Sequence, residues 1–304
     1  MLTKNITRHK PRVWRNQGVI IELDRDYTDT EKRSVEATNR LWPTYTKAYQ
    51  MWSLLTQDAE VRANLDMADY LTVVKLGYND HGETHARLVA ANGLLMFDLL
   101  RQAGIVFDVV SSGAGDEDDA ALVVITAALL HDIGNQVHRQ GHEHISTELA
   151  IPILDRLMPD IYPDVHQRIR LRAFILHAIY SHDFAPPPLT LEAGLVAVAD
   201  GTDITKGRGR TSFDLGKVDI HSVSALAIDD VLIAPGENHP VEITVRMNNS
   251  AGIFQIDETL TRKVVRGPLS KYITVTAVTQ PEGVGADMRI IQRLHLGNGV
   301  FRAE

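Results

Sequence analysis

An α+β fold is predicted for this chain: a mainly helical bundle followed by a smaller C-terminal α/β domain. Three observations lead there. From residue 76 to about 215, successive segments carry helical spacing, broken by glycines, prolines and one small-residue loop. After about 216 the pattern changes to period-two alternation, at 241–246 (VEITVR) and again at 272–278 (YITVTAV). Between those runs, 250–265 sets Ile253, Ile256, Leu260 and Val264 on one helical stripe. A strand–helix–strand unit of that kind builds a small sheet covered on one face.

The elements follow in order. Residues 1–75 start with a basic tail and the apolar patch Val19, Ile20 and Ile21, then read as helices over 29–41, 44–55 and 58–70. Pro43 stops the first of these, and all three are expected to pack on the bundle that follows. The main domain, 76–215, reads as helices over 84–103, 119–132, 142–158, 164–182 and 190–204. Its breaks are Gly104, the 111–119 loop, Gly134, Pro159, Pro163 and the proline run 186–188. The 113–119 stretch is small and acidic and is expected to be solvated. Residues 216–304 form the small α/β domain, with 289–296 as a last strand.

Composition bounds the function. A chain of 304 residues, 44% of them hydrophobic, can bury a substantial core. It has no cysteine, which excludes disulfides, thiolate zinc sites and cysteine-ligated iron–sulfur clusters. Residues 1–14 are basic and polar, without the apolar core of a secretory signal. The longest uncharged apolar run, 120–130, is shorter than the ~20 residues a bilayer demands. A soluble, cytoplasmic protein without a membrane partner is therefore expected. The net charge of −8 argues against a long nucleic-acid partner, yet leaves room for a small phosphorylated substrate beside a metal and a few local cations. Thirteen histidines are present, most of them between His81 and His182.

The densest chemical signal is residues 128–135 (ALLHDIGN). The uncharged run 120–130 reads as a core helix, and it delivers His131 and Asp132 side by side at its end. Imidazole and carboxylate together bind Zn²⁺, Mn²⁺ or Fe²⁺ without any thiolate. A buried aspartate is costly alone, so positive charge should sit beside Asp132. His85 heads a stripe through Val89, Asn92, Met96 and Leu99 and so points inward, whereas His81 precedes the helix and its direction is open. His142 and His144 lie about 200° apart on a helix, so one metal takes only one of them. His142 shares a face with Ser146, Leu149 and Ile153 and is preferred; His144 aligns with Glu148 and Ile151. Likewise His182 continues the stripe of Ile175 and Ile179, and His177 is turned away by about 140°. Asp200 ends a second apolar run, on one face with Val196 and Asp203. Six groups thus converge: His85, His131, Asp132, His142, His182 and Asp200. They suit one or two borderline metals, with Asp132 able to bridge a pair; otherwise they are six unrelated polar residues on helix faces.

Over about residues 76–210 the order His85, His131-Asp132, Asp200 resembles that of the HD-domain metal-dependent phosphohydrolases. The resemblance implies an HD-domain bundle in which those four residues hold a metal. His142 and His182 match two further histidines of members that hold two metals. It implies one or two divalent transition ions, Mn, Fe, Zn or Ni, with Mg as another option. Residues 77–85 (GYNDHGETH) and 131–135 (HDIGN) look like a less studied bacterial and archaeal branch. After His182 the chain reads DFAPPP, without the Gly-Tyr-Pro signature of cyclic-di-GMP phosphodiesterases. Nor does a Glu-Asp pair follow His131-Asp132 as in guanosine tetraphosphate hydrolases.

The expected activity is hydrolysis of a small phosphate ester or nucleotide, with Asp132 as the central catalytic carboxylate. Lys206, Arg208 and Arg210, set among glycines just after Asp200, are candidate phosphate contacts, with Lys206 and Arg208 the ones assigned a catalytic part; Arg139 is a further candidate. The alternative for these cations is a solvated basic loop. The alternative for the whole chain is a nucleotide sensor on an HD scaffold, whose C-terminal domain would serve as output or dimer surface; a homodimer is one expected form. All four core ligand positions are filled, which favours catalysis. RNA binding by 216–304 is disfavoured, because aromatic stacking platforms there are few.

Overall fold

The computed structural model of the protein describes residues 14–16, 19–21, 25–183, 185–209, 224–279, 293–297 and 300–303. The chain opens with a two-stranded antiparallel ribbon, β1 (Trp14–Asn16) and β2 (Val19–Ile21). Three helices follow, α1 (Arg25–Thr38), α2 (Thr46–Gln57) and α3 (Ala59–Asp69), the last running into a π-helical turn at Tyr70–Lys75. Then come α4 (Glu83–Gln102), the short α5 (Asp108–Ser111) and α6 (Glu117–Leu130). A 3₁₀ turn (Ile133–Gln136) leads to α7 (His142–Leu157), α8 (Val165–Tyr180) and α9 (Leu191–Gly201). The C-terminal part consists of β3 (Ile228–Pro235), β4 (Val241–Met247), helix α10 over 252–266, β5 (Ile273–Thr279), β6 (Arg293–Gly297) and β7 (Val300–Ala303). The middle of α10, Ile256–Thr261, is π-helical.

Helix α6 organises the bundle. From Ala120 to Leu130 no residue is more than 2% exposed, so this helix is apolar all round and has to be enclosed on every side. Helices α2, α4, α8 and α9 enclose it. A helix that ends inside such a ring delivers whatever follows it, here His131 and Asp132, into the interior.

Of the acidic stretch 113–119, Asp116 and Glu117 remain exposed, but Asp118 and Asp119 are taken in by the protein rather than solvated. Asp116 and Asp119 form a reciprocal capping box, each carboxylate accepting from the other's backbone N–H at 2.8–2.9 Å. Asp118 accepts from the N–H groups of Lys47 and Ala48 in the first turn of α2, at 2.9 and 3.0 Å. Asp119, 1% exposed, receives the Lys47 ammonium and the Tyr162 hydroxyl, both at 2.6 Å. Two helix N-termini meet there, and their bare N–H groups hold the carboxylates that composition alone would send to water.

The sheet has the order β3-β4-β5-β6-β7, antiparallel except for the parallel pair β4–β5, in which Val241 faces Ile273 and Met247 faces Thr279. Parallel neighbours need a crossover, and α10 supplies it. It buries Ile256, Leu260 and Val264 along its length, while Val241, Ile243, Val245 and Met247 of β4 are buried in alternation. Strand β3 shows no clean alternation in its sequence because it is an edge strand, mostly half-buried. Of the strand expected at 289–296, the part before Arg293 lies outside the described residues. Strands β3 and β4 lie against α4, and α10 lies against α9. No helix among the described residues is long and apolar enough to cross a membrane.

The 3₁₀ turn after Asp132 is clamped onto the start of α7. Gly134 N–H donates to Ser146 Oγ at 2.8 Å. A Cβ on Gly134 would overlap the His142 carbonyl oxygen and lie 2.6 Å from Ser146 N. Gly134→Ala should therefore push α7 off the turn and destabilise the protein by about 1–3 kcal/mol, the usual cost of overpacking. Urea denaturation checks this, and an unchanged midpoint would contradict it.

Candidate metal centre

Five helix ends meet at one point. His85 sits in the first turn of α4, and its stripe through Val89, Asn92 and Met96 is buried as expected. His131 caps the C-terminus of α6, and Asp132 leads into the 3₁₀ turn. Gly141, at φ +74°, makes the left-handed turn from which His142 opens α7. His182 lies two residues beyond α8, and Asp200 lies in the last turn of α9.

Their donor atoms fall into two groups that share Asp132. Around Oδ2 of Asp132, His131 Nε2 is at 3.3 Å and His85 Nε2 at 3.4 Å. Asp200 Oδ1 is 3.2 Å from His85 Nε2 and 3.9 Å from His131 Nε2, and the two imidazole nitrogens are 3.2 Å apart. Around Oδ1 of Asp132, His142 Nε2 is at 3.2 Å and His182 Nε2 at 3.8 Å, with those nitrogens 3.1 Å apart. Ligands about 2.0–2.2 Å from one ion are themselves roughly 3–3.5 Å apart, so the spacing suits ions.

The tautomers make the same point. His131 Nδ1 donates to the Ala128 carbonyl at 2.8 Å, and His182 Nδ1 to that of Ile179 at 2.6 Å. His142 Nδ1 lies 3.1 Å from both the Arg139 carbonyl and Glu143 Oε2. His85 Nδ1 donates to Asp203 Oδ2 at 2.6 Å. With Nδ1 as donor, each ring turns Nε2 into the cluster, where it offers a lone pair to an ion once no proton occupies it. Lone pairs about 3 Å apart repel unless a cation or a proton lies between them. The residues present therefore fit divalent ions.

Electrostatics agree. Burial alone would raise the carboxyls of Asp132 and Asp200, but both are held well below the usual carboxylate range. His131, with hydrogen bonds from His131 and His142, does this for Asp132, and the Lys263 ammonium with His85 does it for Asp200. Burial keeps His182 neutral, with a pKa well below the usual imidazole value. His85 differs. Burial and the Arg208 charge oppose its protonation, but hydrogen bonds to Asp132, Asp200 and Asp203 outweigh them and push it up to about 10.

The other expected residues separate clearly. His144 is exposed and pairs with Glu148 at 3.3 Å; His177 accepts from the Leu189 N–H at 3.0 Å; neither joins the cluster. Lys206 pairs with Asp229 at 2.9 Å. Arg208 is 8% exposed, donating to the carbonyls of Asp80 and Asp203 at 3.0 and 2.7 Å with Nη2 3.4 Å from His85 Nε2. Arg210 lies outside the described residues. Arg139, one-third exposed, sets Nη1 2.9 Å from His142 Nε2 and 3.7 Å from Asp132 Oδ1.

Sequence reasoning missed four neighbours. Asp203 fixes His85, and Asn135 donates to Asp132 Oδ1 at 2.8 Å; each stands three residues from a ligand, a spacing that was legible. His81 is buried beside His85, with ring centroids 5.8 Å apart. Lys263 reaches Asp200 from α10, and no local signal links residues so far apart in the chain.

Comparison with known proteins follows the same lines. A family model described as HD domain matches residues 83–205. An uncharacterized protein of Methanocaldococcus jannaschii, MJ1020, is 41% identical over 228 residues, covering 75% of this chain and 88% of its own length. No solved structure gives a significant match.

A proton on His85 must leave when a divalent ion takes its Nε2, so proton and metal compete. His85 is raised to about 10, so apparent affinity should climb with pH throughout the neutral range, by at most tenfold per unit for one proton. Calorimetric Mn²⁺ titrations at pH 6.5, 7.5 and 8.5, each in two buffers of different ionisation enthalpy, should show about one proton released as the ion held by His85 binds. Affinity that does not vary with pH, with no proton release, would contradict this charge state.

Proposed function

The chain belongs to the HD domain family, and we propose that it is a metal-dependent phosphohydrolase acting on a small phosphate ester or nucleotide. The observation that carries this reading is the double use of Asp132, whose two oxygens each face a different pair of imidazole nitrogens within 3.2–3.8 Å. His85, His131, Asp132 and Asp200 would hold one ion; His142, His182 and the other oxygen of Asp132 would hold a second. A divalent ion in such a site lowers the pKa of a bound water and polarises a phosphoryl oxygen.

The chain's own cations take different parts. Among the described residues, Arg139 has an exposed face beside the shared carboxylate, and it suits a charge-assisted contact to a substrate phosphate. Arg208 is committed to two backbone carbonyls and to Asp203, and so supports His85 from behind. Lys206, engaged by Asp229, is the weaker candidate for a phosphate contact. Asn135 keeps Asp132 from rotating about its own side chain.

Metal analysis of the purified protein, then a panel of nucleotides, cyclic dinucleotides and sugar phosphates, tests the proposal. Asp132→Ala should abolish hydrolysis. His142→Ala or His182→Ala should lower the metal content from two ions toward one, and unchanged content would restrict the centre to the first group of ligands. Arg139→Ala should reduce kcat/KM about tenfold to a hundredfold with metal retained, as expected for loss of one charge-assisted contact of about 1.5–3 kcal/mol. Metal-loaded protein that hydrolyses none of the panel yet binds one compound tightly would instead be a nucleotide sensor.

A further inference from the structure

We propose that Lys263, brought in by the C-terminal domain, is a positioning residue of the metal centre, so that the sheet domain is a working part of the site. The inference rests on the metal reading above and assigns a role to a part of the chain that reading leaves unused. Lys263 Nζ bonds Oδ2 of Asp200, while Oδ1 of the same carboxylate lies 3.2 Å from His85 Nε2. A carboxylate tied through one oxygen presents the other in a single direction, as a monodentate ligand. The Lys263 side chain is 5% exposed and that of Asp200 16%, so this is not a solvated surface pair of little weight.

The lysine is delivered by close packing of two helices. Gly194 and Gly201 stand seven residues apart on α9, on one face, and α10 with the turn after it lies against them. A Cβ on Gly194 would stand 3.1 Å from Pro268 and 3.2 Å from Leu269. One on Gly201 would stand 3.2 Å from the Leu260 backbone and 3.3 Å from the Lys263 side chain. Two glycines therefore let α10 and the turn after it pack along α9, with Gly201 bringing the backbones together beside Asp200. Lys263 follows Leu260 by three residues, on the flank of the buried stripe, whereas its neighbours Arg262 and Arg266 are exposed. A lysine placed there solely for solubility would be on the other side of the helix.

Mn²⁺ titration of the full-length protein tests the assignment, with thermal stability followed in parallel. Lys263→Met should lower the affinity of the first ion about tenfold to a hundredfold, the usual effect of removing a partner that orients a ligand. Lys263→Arg, which keeps a cationic donor, should restore most of it. Gly194→Val touches neither a ligand nor the lysine; by forcing α10 away it should weaken binding in the same direction, and it carries the test if Lys263→Met does not fold. Wild-type affinity in Lys263→Met or Gly194→Val, with only the melting temperature lowered, would make the contact merely structural. Tighter binding in Lys263→Met would mean that the lysine competes with the ion, and would equally overturn the proposal. A wild-type protein that takes up no Mn²⁺ overturns the metal reading itself; wild-type uptake with unaffected variants overturns this inference alone.

Discussion

Burial of the Asp132 carboxylate is the constraint on which the rest of the site depends. It is 2% exposed, at the end of a helix with no polar face, so water cannot stabilise its charge. The cost of that burial is large unless donors and positive charge surround it. His85, His131, His142, His182, Asn135 and Arg139 all turn polar atoms toward it, and they come from α4, α6, α7, the end of α8 and the turns between them. Packing of those helices is thus inseparable from the electrostatics of one side chain.

The outer layer works by fixing direction. His131 and His182 donate Nδ1 to a backbone carbonyl in the last turn of α6 and α8, where carbonyls lack intrahelical partners, and His142 Nδ1 lies beside the Arg139 carbonyl in the turn before α7. The fourth, His85, uses Asp203, which Arg208 in turn supports. Helix ends therefore serve twice here: they carry the ligands, and their spare carbonyls lock the ring orientation. A site built on rigid helix termini keeps its donor atoms converged by scaffold rather than by loop conformation.

The N-terminal helices and the C-terminal sheet region both pack on the bundle that carries the centre. The N-terminal helix α2 closes one side of α6 and takes its own first-turn donors to Asp118. The C-terminal part packs through α10 on α9, and Lys263 extends from it to Asp200. The interfaces that complete the hydrophobic core also supply a capping carboxylate on one side and a site cation on the other. Charged groups are thereby paired across boundaries that composition alone would mark as separations between domains.

Local periodicity by itself determined much of this protein. Residues three, four and seven apart share a helix face whatever surrounds them, so the inward direction of His85, the choice of His142 over His144 and that of His182 over His177 were legible, as was the crossover helix between two alternating strands. Chain order and spacing were likewise enough for the HD resemblance. Tertiary structure decided what depends on distant partners: that Asp116, Asp118 and Asp119 are held by two helix N-termini, that Lys206 is engaged by Asp229, that Arg208 is buried beneath His85, and that Lys263 bonds Asp200. The physical reason is the range of the interactions. Periodicity is written in neighbouring residues, whereas the pairing of a buried charge depends on which backbones pack closely enough to bring its partner, and for Lys263 that was set by two glycines on another helix.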